Sequence, residues 1–392
     1  MRFIYQNHIN DTKLLQWYVV IDKSFYGKKM KKNVGIIFGG KSTEHEVSLQ
    51  SARNIVDAID KEKFDVTLIG IDKDGIWHLN ESTQFLLNSD DPNLIALHPS
   101  GRNLAFIPGK SEKQVIEFQN KAISQLDVIF PIVHGTLGED GSLQGLLKMV
   151  NLPFVGSQVL SSAICMDKDV SKRLLRDAGL NVTPYIKLTK RNRINIDFEV
   201  ACSKLGLPLF VKPANQGSSV GVSKVNTVEE FEIALDTAFN YDHKVLIEKG
   251  INGREIECAV IGNYKPIASV CGEIELSDSF YSYETKYINE KGAKVTIPAN
   301  ISTELSKKIQ DIAISAYEIL ECTGLARIDV FLTKDETVFI NEINTLPGFT
   351  NISMFPKLWE ESGLSYSDLI TCLIELAIEH HREQEKIQNT VF

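Results

Sequence analysis

The sequence predicts an α/β fold that gives way to α+β in its C-terminal parts, and three stretches carry that expectation. Near the front, the apolar run Val34 to Phe38 passes through Gly39-Gly40 into a segment whose Val47, Ala52, Ile55, Val56 and Ile59 mark one face of a helix, the strand, turn and helix of an α/β opening. Further along, Asp127 to Val133 is almost continuously apolar, as expected of a strand buried on both faces, and it leads through a glycine-containing loop to a helix from about Ser142. Toward the end, Leu325 to Phe349 reads as two alternating strands around the polar turn Lys334-Asp335-Glu336-Thr337.

A chain of 392 residues has room for two or three domains. Asp and Glu (51) outnumber Lys and Arg (42), so the net charge of −9 argues against sequence-independent nucleic-acid binding; an anionic ligand would need local lysines or a metal. Cys165, Cys202, Cys258, Cys271, Cys322 and Cys372 form no CxxC pair and sit mostly in apolar runs, which suits reduced packing residues of a cytoplasmic protein. No apolar run approaches the roughly 20 residues of a membrane span. Leu14 to Ile21 is short, follows Asp11 and lacks a small-residue cleavage pattern, so neither export nor membrane insertion is expected.

Residues 1–32 do not resemble the rest of the chain and are expected to be an extension outside the fold, which begins near Asn33. Glu44 lies beside the first glycine turn, either at the mouth of a parallel sheet, where α/β ligands bind, or as a favourable charge at a helix start. Phe64 to Ile71 is the second strand. His134 ends the buried strand and opens the loop to Gly141, as a site residue or as part of a turn capped by polar residues. Phe154 to Ser157 closes a first domain, 33–157. Ser162 to Ala178 reads as one helix. Pro184 to Leu188 is extended, and Pro208 to Pro213 is a strand ending on Lys212 beside Ala214 to Val222. A lysine next to a glycine-serine loop suits a polyphosphate, although such loops are also ordinary flexible turns and no Walker A pattern is present. Thr227-Val228-Glu229-Glu230 is a capping box opening a helix, and Lys244 to Glu248 a strand that ends a central part, 158–249. In the last part, 250–392, Arg254 to Ile261 and Pro266 to Glu273 are strands. A polar, aromatic loop at 275–291 has the length of a lid. Helices are expected at about Thr303 to Leu320 and Tyr366 to His380.

With the hairpin turn centred between Asp335 and Glu336, Asp329 falls opposite Glu342 and Arg327 opposite Asn344, all on one face. The other face then carries Ile328, Val330, Leu332, Phe339 and Ile343, with Asn341 as a polar interruption. Opposed carboxylates repel unless a cation lies between them, and two carboxylates with an amide oxygen suit Mg²⁺; a solvated, charged sheet face is the alternative.

Taken in order, GGKSTEHEVS, HGTLGEDGSLQG, MDK, VKPANQGSSVG, VLIEK, YETKY, LARIDVF and NEINTLPGFT resemble the D-alanine–D-alanine ligases of the ATP-grasp superfamily, from about Asn33 to about Ala377. The resemblance implies a three-domain ATP-grasp architecture with an N-terminal parallel α/β domain, and a reaction in which ATP phosphorylates one D-alanine and a second D-alanine attacks the acyl phosphate. It implies two Mg²⁺ ions, with Mn²⁺ as an alternative, on Asp329, Glu342 and Asn344, and Lys168, Lys212 and Lys286 around the phosphates. Arg327 and the Gly348 N–H would stabilise the oxyanion. Glu44 would hold the first ammonium within a set that includes Ser218 and Tyr287, with His134 near the carboxylate. Ser353 and Met354 would receive the second substrate, and Glu248, Lys249, Ile251 and Glu255 would line the adenine and ribose. A homodimer is also implied. A ligase using D-serine or D-lactate second is the neighbouring reading, and Tyr287 favours an amine nucleophile. A non-catalytic ATP-binding module is the reading from another class; it would need the phosphate cradle but no oxyanion donor.

Overall fold

A computed structural model describes residues 31–388 apart from 82–84, 90, 92–93, 111, 119–120, 124, 194–195 and 277–292. Of the expected lid at 275–291, Glu275 and Leu276 belong to a strand, and the remainder, with Lys286 and Tyr287, lies outside the described residues, as does the extension up to residue 30.

The first part is built on a four-stranded sheet in the order Trp77–Asn80, Phe64–Ile71, Lys32–Gly39, Val128–Ile132. The last three are parallel, but Trp77–Asn80 returns antiparallel along the edge, a correction to a purely parallel domain. Every residue of Val128–Ile132 is buried, as its unbroken apolar run required. Lys32–Gly39 stops at a turn that demands glycine: Gly39 has φ +88°, and a Cβ there would stand 2.2 Å from the Ile71 carbonyl oxygen. Helix His45–Ala58 follows immediately. Small antiparallel sheets between Leu86 and Ala122, which alternation did not reveal, flank this part.

The stretch read as one helix is two, Val159–Met166 and Lys168–Asp177. Asp167 breaks it: its backbone is extended (φ −87°, ψ 98°) and its carboxylate caps the second helix through the Asp169 and Val170 N–H groups. The central sheet runs Tyr185–Thr189, Lys244–Lys249, Leu209–Pro213, Ser223–Val225, all antiparallel. Helices Phe198–Leu205 and Val228–Tyr241 cover it, packing Phe231, Leu235 and Ala201 against Leu188, Val211 and Ile247. The capping box of Thr227 and Glu230 forms as expected.

A five-stranded antiparallel sheet makes up the C-terminal part, in the order Ala293–Thr296, Ile267–Leu276, Gly253–Gly262, Gly324–Thr333, Val338–Asn344. Helix Thr303–Ile319 backs it with Ile309, Ala313, Ala316 and Tyr317. Cys165, Leu175 and Val182 join this same core, so the broken helix pair packs on the C-terminal sheet. Helix Met354–Glu361, absent from the expectations, and Tyr366–Glu385, longer than expected, turn back to share a core with the first part. There the Phe130 and Phe349 rings meet edge to face, 5.7 Å apart. All six cysteines are free thiols.

Candidate active site

The hairpin pairs Arg327 with Asn344 and Asp329 with Glu342, as the alternation required, but the register shifts by one residue just beyond, where Val330 pairs with Ile340. Asn341 is the extra residue of a bulge. Its consequence is a change of face: Val338 and Ile340 join Ile328, Val330, Leu332 and Ile343 in the core, whereas Phe339, expected on the back, pairs with Phe331 and is only half buried. Asn341, expected to interrupt the apolar back, instead accepts a hydrogen bond from Lys212 Nζ at 3.3 Å. Asn341 and Glu342 therefore both reach the polar cleft.

On that polar face the charges are interlocked. Arg327 donates from Nε and Nη2 to the two Asp329 oxygens, each at 2.8 Å, and its Nε also lies 2.8 Å from Glu257 Oε2. Asn344 Nδ2 donates to Asp329 Oδ2 at 3.0 Å. Across the cleft, Lys168 Nζ stands 3.4 Å from Glu342 Oε2 and donates to the Gln216 carbonyl at 2.7 Å, which ties the first turn of Lys168–Asp177 to the glycine-serine loop. Lys212 Nζ is 2.8 Å from Glu248 Oε2, and Lys172 Nζ 3.0 Å from Glu248 Oε1. Burial pushes the Glu248 carboxyl up, but the two ammonium groups outweigh it and hold it below the ordinary value.

The first part meets this cleft through two buried side chains. Glu44 is the N-cap residue of His45–Ala58, yet its side chain makes no capping bond there; it accepts from the Ser218 hydroxyl, 174 residues away. The approach needs a bare backbone opposite, since a Cβ at Gly135 (φ +74°) would lie 2.7 Å from Glu44 Oε2. His134 is 3% exposed. Its Nδ1 lies 3.3 Å from Glu139 Oε1 and 3.2 Å from the Leu346 carbonyl oxygen, and its Nε2 lies 3.3 Å from Ser51 Oγ. Burial lowers the affinity of this imidazole for a proton, but Glu139, then Glu44 and the Leu346 carbonyl, more than reverse it, and His134 ends above its ordinary value.

Gly348 lies in a turn held from several sides. The neighbouring Phe349 N–H donates to Ser51 Oγ at 3.2 Å, and the Phe349 carbonyl accepts from Asn54 Nδ2 at 3.0 Å and from the Tyr366 hydroxyl at 2.6 Å. Ser353 Oγ accepts from the Thr350 N–H at 2.9 Å. A Cβ on Gly348 would come within 2.7 Å of that same Oγ. The Met354 side chain is buried in the shared core, so it offers a ligand only its backbone. Lys249 is exposed, and Ile251 and Glu255 are half-buried, where Lys244–Lys249 passes into Gly253–Gly262; Glu255 pairs with Phe331, two residues along from Glu257, the partner of Asp329.

Lys172, Glu257 and Ser51 were not singled out from sequence, and Asn341 was noted only as a polar interruption of the apolar back. Lys172 follows Lys168 at i+4, and Glu257 follows Glu255 at i+2, so helical and strand periodicity could have found both. No local pattern marks Ser51, and Asn341 needed the bulge.

Asp329, Glu342 and the Asn344 side-chain oxygen offer only oxygen donors on one face, which fits a hard divalent cation better than a soft one. Their charge is met at present by Arg327 and Lys168. Among the described residues, no group of three or more His, Cys, Asp and Glu side chains is arranged to hold a metal by itself.

Two antiparallel sheets closing on a cleft of lysines and carboxylates define the ATP-grasp class. Models of the D-ala D-ala ligase N-terminus and C-terminus match residues 33–157 and 174–375. The D-alanine–D-alanine ligase A of Escherichia coli is 65% identical over 362 residues, 92% of this chain and all of that one. The D-alanine–D-alanine ligase of Shouchella clausii is 63% identical, over 92% of this chain and 99% of that one. Among solved structures, the D-alanine-D-alanine ligase from Coxiella burnetii superposes with a TM-score of 0.78 at 40% identity, covering 91% of this chain and 96% of that one. The VanG D-Ala:D-Ser ligase from Enterococcus faecalis does so with a TM-score of 0.78 at 38% identity, covering 88% and 99%. The chain belongs to the D-alanine–D-alanine ligase family.

Proposed function

We propose that this protein joins two D-alanines into D-alanyl-D-alanine for peptidoglycan synthesis, with conversion of ATP to ADP and phosphate. One observation carries the reading most directly: Arg327, Asp329, Glu342 and Asn344 share one face of the hairpin, and Lys168 and Lys212 reach the same strands from across the cleft.

In the first step a carboxylate oxygen of one D-alanine takes the γ-phosphoryl group and ADP leaves. Both reactants are anions, so Lys168 and Lys212 screen their approach, joined by Lys286 of the lid. When bound on Asp329, Glu342 and Asn344, two Mg²⁺ ions, or Mn²⁺ in their place, supply further charge neutralisation at the phosphates. Glu44 holds the substrate ammonium, steadied by Ser218 and Tyr287, with His134 near the carboxylate.

In the second step the amine of the other D-alanine attacks the acyl carbon. The Arg327 guanidinium and the Gly348 N–H stabilise the tetrahedral oxyanion, and phosphate departs as the amide forms. Ser353 and the Met354 backbone receive the acceptor's carboxylate. Glu248, Lys249, Ile251 and Glu255 line the nucleoside side. Three domains at 33–157, 158–249 and 250–392, a homodimer and a cytoplasmic setting complete the reading; no helix among the described residues is long and apolar enough to cross a membrane.

Phosphate release measured with ATP, Mg²⁺ and single or paired D-amino acids tests it. D-alanine alone should support release with dipeptide as the product. Release independent of any D-amino acid would overturn the ligase reading, and faster turnover when D-serine is the acceptor would move the assignment toward the D-Ala:D-Ser specificity for which the Enterococcus relative is named.

A further inference from the structure

Lys172 has no part in the steps above, yet its side chain is only 1% exposed. It follows Lys168 by one turn on the helix Lys168–Asp177, so the two side chains leave the same face. Its Nζ is 3.0 Å from Glu248 Oε1, while Lys212 Nζ is 2.8 Å from Glu248 Oε2. One buried carboxylate, from the strand Lys244–Lys249, thus serves two ammonium groups, one from a helix and one from the neighbouring strand Leu209–Pro213. Burial draws Lys172 down to about 8, with Glu248 pulling the other way, so the group stays largely protonated at neutral pH.

The balance of charges gives this arrangement a purpose. Lys212 and Glu248 alone would be a neutral pair, and a polyanion could take Lys212 only by leaving a carboxylate that is 3% exposed without a counter-ion. With Lys172 in place the three groups carry one net positive charge, and the neighbouring Lys168 and Glu342 cancel. Lys212 can then turn to a phosphate while Glu248 remains paired.

We propose that Lys172 is a positioning residue for nucleotide binding, holding the Glu248 carboxylate so that Lys212 can serve the triphosphate. The inference rests on the reading of Lys212 as a nucleotide lysine.

Lys172→Met keeps the side chain's length and removes its charge. Binding of a non-hydrolysable ATP analogue with Mg²⁺, followed by calorimetry, should weaken about ten-fold or more, the scale of one lost charge at this range. KM for ATP should rise in step, while kcat at saturating ATP and KM for D-alanine stay within about two-fold. Lys172→Arg restores the charge beside Glu248 and should bind the analogue far more tightly than Lys172→Met, which a role in packing alone would not produce. If Lys172→Met fails to fold, Lys172→Gln carries the test, since its amide can still donate to Glu248 without the charge: a ten-fold loss of nucleotide binding supports the inference, and wild-type binding overturns it. Wild-type nucleotide binding in folded Lys172→Met, or no recovery in Lys172→Arg, also overturns it. Lys212→Met separates the two readings. Loss of binding there beside wild-type binding in Lys172→Met removes the inference alone, whereas unchanged binding in Lys212→Met removes the role of Lys212 and the inference with it.

Discussion

Asp329 and Glu342 face one another as Cα partners even though the strand that carries Glu342 has one residue more than its neighbour requires. The surplus, Asn341, changes which side chains reach the cleft without disturbing the opposed carboxylates. Two acids so placed repel, and here Arg327 and Lys168 hold them. On the proposed reading of both acids as metal ligands, Asp329→Asn and Glu342→Gln should each lower turnover by about 100-fold or more, and Asp329→Asn should also lower the melting temperature, because it takes the charged partner from the Arg327 fork at a buried site. Steady-state phosphate release and calorimetry check this; wild-type turnover in either variant would sink the metal assignment.

Arg327 presents a planar fork to Asp329 and lies beside Glu257 at the same time. A lysine cannot reproduce that fork. Arg327→Lys should therefore lose about 100-fold in kcat, the scale of one missing oxyanion donor, with KM for ATP changed far less. A fall confined to KM would assign Arg327 to ground-state binding instead.

Glu44 and Ser218 are joined by one hydrogen bond between the first part and the glycine-serine loop. Glu44→Gln and Ser218→Ala should each lower kcat/KM for D-alanine about ten-fold or more, and the double variant should add little, since both remove the same link. Fully additive losses would show that the two residues act separately.

His134 sits above its ordinary value of 6.5 because Glu139, Glu44 and the Leu346 carbonyl outweigh its burial. A raised value in the folded state contributes stability that is fully present below about 6.5 and is lost as the pH rises through the folded value. Glu139→Gln should consequently depress the melting temperature most near pH 5.5 to 6, with the gap to wild type narrowing toward pH 8. A gap that widens with pH would contradict the sign.

Ile328, fully buried on the back of the hairpin beside Val330 and Ile340, is the counterpart on the stability side. Ile328→Ala should cost about 2 to 5 kcal/mol in denaturant unfolding, because the site cannot collapse without moving two strands. A cost under about 1 kcal/mol would mean that the back of the sheet is loosely packed.

Periodicity and caps are local, so the elements built on them were legible. Val128–Ile132 follows from its apolar run, the helix Val228–Tyr241 from its capping box, and the pairing of Asp329 with Glu342 from simple alternation. Asp167 misled because the apolar pattern continues on both sides of it, and only its extended backbone separates two helices. Phe339 misled because alternation assumes one residue per step on both strands, which a bulge breaks.

Most of the larger strands and helices, the polar face of the hairpin and the ordered motifs that tie the chain to its family were readable from residue order. They rest on neighbours two to four residues apart and on residue types in sequence. That His134 faces the Leu346 carbonyl, and that Lys172 and Lys212 share Glu248, emerged only in three dimensions. These pairs bring together segments up to 212 residues apart, and their energies depend on burial and on the charges around them, which exist only once the sheets have closed on one another.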